Sequence, residues 1–292
     1  MNFVEFSDVT FAYPPVDGDV DADGNQIVPR NVFEHFSAVL PGGFISLVGP
    51  NGSGKSTFML LASGRLVPES GKVFLMGKDI AMMTGESKNM YASVIYQNME
   101  FETEDKVGDL LKQVFSSGTN QGKKNGILSA DKSLLDETIE VFELSGILEH
   151  TLTGISKGEI QRVLLAFSIL YGSVSVFMDE PLFAMEYPQK EAALRYLREY
   201  CKKTGTTIYI SMHELDLTRR FAEKVLLFYP NRDMSFGTPE EVLTDEDLEK
   251  AYGVPVAMLK KGEEYTLRGL NDAAASISEM NAVLKKGEKT AE

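Results

Sequence analysis

The sequence predicts an α/β fold: a mostly parallel sheet flanked by helices, an N-terminal antiparallel β subdomain and an inserted α-helical subdomain. Three observations carry that prediction. Short apolar runs (Phe44–Val48, Val174–Met178, Thr207–Ser211, Lys224–Phe228) alternate with helix-forming stretches, as buried parallel strands and crossover helices do. Residues 2–13 alternate apolar with polar types and read as a half-exposed strand; the Pro/Asp/Gly-rich stretch Pro14–Pro29 reads as a hairpin or loop, and a second strand, Val32–Leu40, follows. Beyond residue 98 the strand signal gives way to helix formers. A chain of 292 residues is long for one ordinary domain and short for two large ones, so one core with an inserted subdomain is expected.

In chain order, Phe44–Val48 leads into a glycine-rich turn and a helix starting near Lys55. Strands follow at Lys72–Met76 and Ser93–Tyr96, then helical sequence through Phe115. Residues 116–133 are polar and glycine-bearing and read as a mobile, exposed connector. The amphipathic segment Leu134–Leu144 leads past Gly146 to a polar turn at Ser156–Glu159, which opens a helix through Ile169. A helix over Gln189–Lys202 separates two buried strands, and the sequence from Pro239 onward reads as short helices and a polar end. The expected division is a discontinuous core, 1–98 and 157–238, a helical subdomain at 99–156, and a C-terminal helical extension and tail at 239–292.

Composition narrows the partners. A hydrophobic share of 43% with 25% charged residues belongs to an ordinary globular protein. The net charge of −14 argues against nucleic acid, whose binding needs Lys and Arg gathered on one face. The single cysteine, Cys201, has no intramolecular partner, and His35, His150 and His213 are too scattered for a zinc spacing. The N-terminus lacks the pattern of a secretion signal and no apolar run approaches membrane-spanning length, so a cytosolic or peripheral membrane protein is expected. Asp19–Asn25 begins like a calcium loop, but its twelfth position is Arg30 where the bidentate Glu is needed. An acidic turn is the expectation there.

Gly49-Pro50-Asn51-Gly52-Ser53-Gly54-Lys55-Ser56-Thr57 satisfies G-x-x-x-x-G-K-[ST] between an apolar strand and a helix. Glycines let backbone N–H groups turn toward phosphates, the helix N-terminus adds a positive dipole, Lys55 reaches the β/γ-phosphates and the Ser56 hydroxyl ligates Mg²⁺. ATP and Mg²⁺ are the expected ligands. Asp179 and Glu180 place two carboxylates at the C-terminal end of a buried strand, where open parallel sheets bind ligands. Asp179 suits the metal and Glu180 an attacking water, although a solvated acidic helix cap would look the same.

Between these motifs, Ile155-Ser156-Lys157-Gly158-Glu159-Ile160-Gln161-Arg162 resembles the L-S-G-G-[EQ]-x-Q-R signature of ATP-binding-cassette (ABC) ATPases. The resemblance covers roughly residues 2–260 and implies a RecA-like P-loop NTPase core. It further implies that Tyr13 stacks on adenine, a position where a core tyrosine would also be unremarkable. Gln97 then touches Mg²⁺, and His213 contacts the γ-phosphate and the attacking water. In that family the signature closes over ATP held by another protomer, so Ser156, Lys157, Gly158 and Glu159 are expected to act in trans in a head-to-tail dimer. The groove beside the helical subdomain is expected to receive a transmembrane permease, itself linked to an external binding protein.

The stretch Phe236-Gly237-Thr238-Pro239-Glu240-Glu241-Val242-Leu243-Thr244, with Ala251-Tyr252-Gly253-Val254 after it, is similar to importer ATPases for iron–siderophore complexes, haem and cobalamin. His213-Glu214-Leu215-Asp216-Leu217 resembles the H-D-L-x-L run of the same group. A soluble cassette ATPase with an assembly role, such as iron–sulfur cluster assembly, and an importer for another substrate are the alternatives. Departures from the family pattern are Lys157 for the first signature glycine, Glu186 for the usual Asp, and Leu182-Phe183-Ala184-Met185 before it. These bear on closure across the dimer.

Overall fold

The computed structural model describes residues 2–15, 18, 26–27, 29–96, 99, 101–120 and 125–259. The calcium-loop-like run at 19–25, Gln97 and the tail beyond 259 lie outside the described residues.

Two sheets organise the chain. The smaller is antiparallel and joins β1 (Asn2–Phe11), β2 (Phe33–Pro41), β4 (Ser70–Leu75) and β5 (Lys78–Asp79) in the order β2-β1-β4-β5. The larger has β3 (Phe44–Val48), β6 (Ala92–Ile95), β7 (Ser175–Met178), β8 (Thr207–Ser211), β9 (Lys224–Phe228) and β10 (Met234–Gly237) in the order β10-β9-β3-β8-β7-β6. Its pairs are parallel except β9 with β10. The strands β3, β7 and β8 are buried at every residue, which is why they read as continuous apolar runs rather than alternating ones.

The alternation in β1 changes frame midway. Val4 and Phe6 face the core, then Val9 and Phe11 do, because Ser7 and Asp8 are both exposed and the pairing to β2 shifts between Phe6 and Val9. Asp8 takes φ 53, one extra residue in a bulge that turns the following side chains back to the core. Asp8 Oδ1 also meets His35 Nδ1 at 2.9 Å.

On one face of the large sheet, β1, β2 and β4 close over α1 (Lys55–Ala62), with Phe6 stacked on Phe58 and Phe177 stacked on Tyr209. The other face is covered by α5 (Lys157–Tyr171), α6 (Tyr187–Thr204) and α7 (Leu215–Phe221). Helices α3 (Val107–Ser117) and α4 (Leu134–Val141) lie against α5, which also touches β6. Helix α2 (Gly85–Tyr91) precedes β6; α2, β5 and β10 carry no strong sequence signal and were not expected. Helices α8 (Pro239–Val242) and α9 (Asp245–Tyr252) cover Val48, Val225 and Leu227. Among the described residues no helix is long and apolar enough to cross a membrane.

One expectation is corrected. Residues 125–133 are anchored rather than loose, because the Glu137 carboxylate, 3% exposed, accepts bonds from the backbone N–H of Ile127, Leu128 and Ser129 at 2.5, 2.7 and 2.8 Å. It also accepts the Tyr196 hydroxyl at 2.9 Å, while Lys203 donates to Ile127 O at 2.6 Å. Four donors replace the water that this buried carboxylate loses.

Candidate active site

The phosphate-type loop leaves the central strand β3 and enters α1. Gly49 sits at φ 144, where an added Cβ would stand 2.6 Å from Phe228 O. Gly54 caps α1 at φ 103. Both positions demand glycine, the first for close approach and the second for backbone conformation. Lys55 folds back into the loop, donating from Nζ to Gly49 O at 2.8 Å and Pro50 O at 3.0 Å. It is 6% exposed, and burial lowers its pKa against the opposing pull of Glu180 and Asp179.

Around Lys55 opens a cavity of about 440 Å³, lined by Tyr13, Val32, Asn51, Gly52, Ser56, Thr57 and Glu180 among others. The hydroxyl of Tyr13 meets Thr57 Oγ1 at 3.0 Å, and its ring, 40% exposed, stands edge-on to Phe11. The Ser53 hydroxyl is buried without a partner among the described residues. A glycine cradle, a buried cation and an orphaned hydroxyl fit a polyphosphate. The hydroxyl of Ser56 and the carboxylate of Asp179 are hard oxygen donors of the kind Mg²⁺ takes, with its remaining positions left to phosphate and water.

Strand β8 lies between β3 and β7, and its last residue fastens the Asp179 carboxylate and the Glu180 backbone. Ser211, 1% exposed, donates from Oγ to Asp179 Oδ1 at 2.7 Å and accepts from Glu180 N at 2.8 Å. Glu180 is held at φ 48, a left-handed conformation costly for a residue with a side chain. That backbone turn presents its carboxylate to the cavity, where Oε1 lies 2.6 Å from His213 Nε2. Ser211 was not anticipated. Its signal was a hydroxyl at the C-terminal end of a fully buried strand.

The signature segment lies elsewhere on the surface. Ser156 caps α5, with Glu159 N donating to its Oγ and Glu159 Oε2 accepting from Ser156 N at 2.8 Å. Those Ser156 bonds hold the Glu159 carboxyl below its usual pKa. Gly158 is pressed against the loop after Glu180, since a Cβ there would stand 2.6 Å from Ala184 O. Gln161 Oε1 accepts from Ala184 N at 2.8 Å in the same contact. Lys157 is exposed and borders a second cavity of about 360 Å³ with Tyr96, Met99, Gln161 and Phe183. Within one copy, none of Ser156–Glu159 lines the Lys55 cavity. Glu186 precedes α6, its N–H donating to Gln189 Oε1 at 3.4 Å.

A parallel sheet carrying a glycine-cradled lysine beside a strand-end carboxylate pair defines the class: a P-loop ATPase. Residues 37–183 match the family described as ABC transporter. The hemin import ATP-binding protein of Rhizobium meliloti (strain 1021) is 30% identical over 221 residues, 73% of this chain and 82% of that one. The petrobactin import ATP-binding protein of Bacillus anthracis is 24% identical over 257 residues, 87% of this chain and 93% of its own length. A solved ATP binding subunit of an ABC transporter superposes with a TM-score of 0.66 at 20% identity, covering 90% of this chain and 99% of that one. The chain belongs to the ABC transporter family.

Proposed function

We propose that this chain is the ATP-binding and ATP-hydrolysing subunit of an importer for iron complexes, haem or cobalamin. It works on the cytoplasmic face of the membrane as a pair of identical subunits docked to transmembrane permease subunits. An extracellular or periplasmic binding protein then delivers cargo to the permease. The importer names of the relatives support the cargo class. The observation that carries hydrolysis is the meeting of Lys55 and Glu180 in one cavity, with Glu180 bonded to His213.

Lys55 Nζ donates to the Gly49 and Pro50 carbonyls; a triphosphate offers charged acceptors, which make stronger bonds. Tyr13 presents a ring for the adenine and the loop N–H groups hold the β- and γ-phosphates. Ser56 and Asp179 would hold Mg²⁺, with Gln97 added by the family resemblance, and the ion would neutralise charge on the phosphate oxygens. Glu180 Oε accepts a proton from the attacking water as its oxygen bonds the γ-phosphorus and the bond to ADP breaks. His213 holds that carboxylate in line. The partner copy's signature, Ser156 to Glu159, supplies further donors to the γ-phosphate, and the exposed Lys157 adds a cation where the family pattern has glycine. Cleavage removes the shared ligand and lets the pair reopen.

Affinity capture of the full chain from membrane and soluble fractions tests the transport role. Recovery of an integral membrane permease is the expected result; recovery of soluble partners alone contradicts it.

A further inference from the structure

The end of β8 and the residues after it are laced to the segment after β7 by five contacts. Ser211 holds Asp179 and the Glu180 backbone, and His213 meets Glu180. One residue further, Glu214 pairs with Lys190 of α6, and Asp216 accepts the Tyr187 hydroxyl. Tyr187 and Lys190 are one helical turn apart and so share a face of α6. Outside them, Arg220 reaches Glu191 at 2.6 Å and the Tyr187 hydroxyl at 3.4 Å.

His213 needs such support. Its side chain is 42% exposed, and Met212 and His213 fall between the end of β8 and Glu214, the cap of α7. Neither burial nor regular structure orients the imidazole. On its N-terminal side Met212 is anchored, 3% exposed with its N–H donating to Leu47 O at 3.3 Å, and on its C-terminal side Glu214 is held by Lys190. Lys190 and Glu214 side chains are 12% and 28% exposed, so their attraction is less screened than on an open surface. Burial followed by Asp216 pushes the Tyr187 hydroxyl up to about 12, which keeps it a donor in that contact. The packing of α6 and α7 has its own apolar basis in Leu194, Leu197, Leu217 and Phe221, so the ion pair is not what holds these helices on the sheet.

We propose that Lys190 and Glu214 form a positioning pair that fixes the backbone on the C-terminal side of His213, keeping the imidazole on Glu180 and tying it to α6. This rests on the reading of Glu180 and His213 as the hydrolytic pair. Neither Lys190 nor Glu214 lines the Lys55 cavity; they act through His213.

The test is steady-state phosphate release by the purified full chain, with affinity for a non-hydrolysable ATP analogue measured separately. Lys190→Met and the isosteric Glu214→Gln are each expected to lower kcat about 10-fold by misplacing His213. KM and analogue affinity stay within about twofold, because the nucleotide contacts are intact. Lys190→Arg, and the exchange Lys190→Glu with Glu214→Lys, should recover most of the turnover. In a His213→Ala background the same substitutions should cost nothing further. Full turnover in Glu214→Gln, or an equal further loss in the His213→Ala background, overturns the proposal while leaving the catalytic reading intact. Wild-type turnover in His213→Ala overturns the catalytic reading, and this pair's role with it.

Discussion

Replacing Ser211 with Ala removes one oxygen and leaves two groups of the site unheld. The Asp179 carboxylate loses a charge-assisted bond of 2.7 Å and the Glu180 N–H loses its 2.8 Å acceptor, at a position where Ser211 is 1% exposed. A bond to a charged group contributes about 1.5–3 kcal/mol, and a buried N–H left unmade costs about 1–3 kcal/mol. Some of this is returned as the left-handed turn at Glu180, φ 48, relaxes, since such strain stores about 1–3 kcal/mol. The net expectation is about 3 kcal/mol of destabilisation, or about 6–12 °C in Tm at about 2–4 °C per kcal/mol for a chain this large. Relaxation of that turn swings Glu180 away from His213, so turnover should fall about 100-fold. Calorimetric melting without nucleotide reads the first effect and phosphate release the second. A Tm within about 2 °C of wild type together with undiminished turnover would refute the role given to this hydroxyl.

Gly49→Ala should abolish binding of a fluorescent ATP analogue, because its Cβ would stand 2.6 Å from Phe228 O and the loop must move to admit it. Gly158→Ala should leave that binding intact and reduce phosphate release, since the clash falls on Ala184 O in the loop after Glu180. Glu137→Gln places an amide against backbone donors and should cost about 3 kcal/mol, with faster amide exchange at residues 127–129. Ser156→Ala removes the α5 cap and should cost about 1 kcal/mol near neutral pH in urea unfolding. Glu159 titrates below its usual value because of Ser156, so its contribution is present above the ordinary carboxylate range and fades as pH falls through the lowered value. The gap between wild type and Ser156→Ala should therefore narrow in acid.

The phosphate loop was legible because its requirements are local: Gly49 and Gly54 occupy backbone positions that other residues reach only at a cost, in the same nine residues as Lys55. The buried strands of the large sheet were legible as apolar runs for the same local reason. Helix α6 starts at Tyr187, two residues before the expected Gln189, because Pro188 sits in the first turn, where its missing N–H costs nothing. Less legible were contacts made between distant segments. Glu137 falls in the amphipathic segment Leu134–Leu144 without a signal of its own, and its partners lie on a preceding loop and on α6. Ser211, Lys190 and Glu214 are ordinary in their own neighbourhoods and acquire meaning only when β7 and β8 pair in register. The bulge at Asp8 was hidden because a period-2 pattern that slips by one residue still alternates on either side.

The central claim is that Glu180 completes a water-activating site whose ATP is shared by two copies. It is tested most directly by sedimentation of wild type and Glu180→Gln with ATP and Mg²⁺, with phosphate release followed in the same samples. A stable dimer of Glu180→Gln that retains ATP and releases no phosphate is expected, while wild type hydrolyses and returns to monomer. Glu180→Gln that stays monomeric and releases phosphate at the wild-type rate would contradict it.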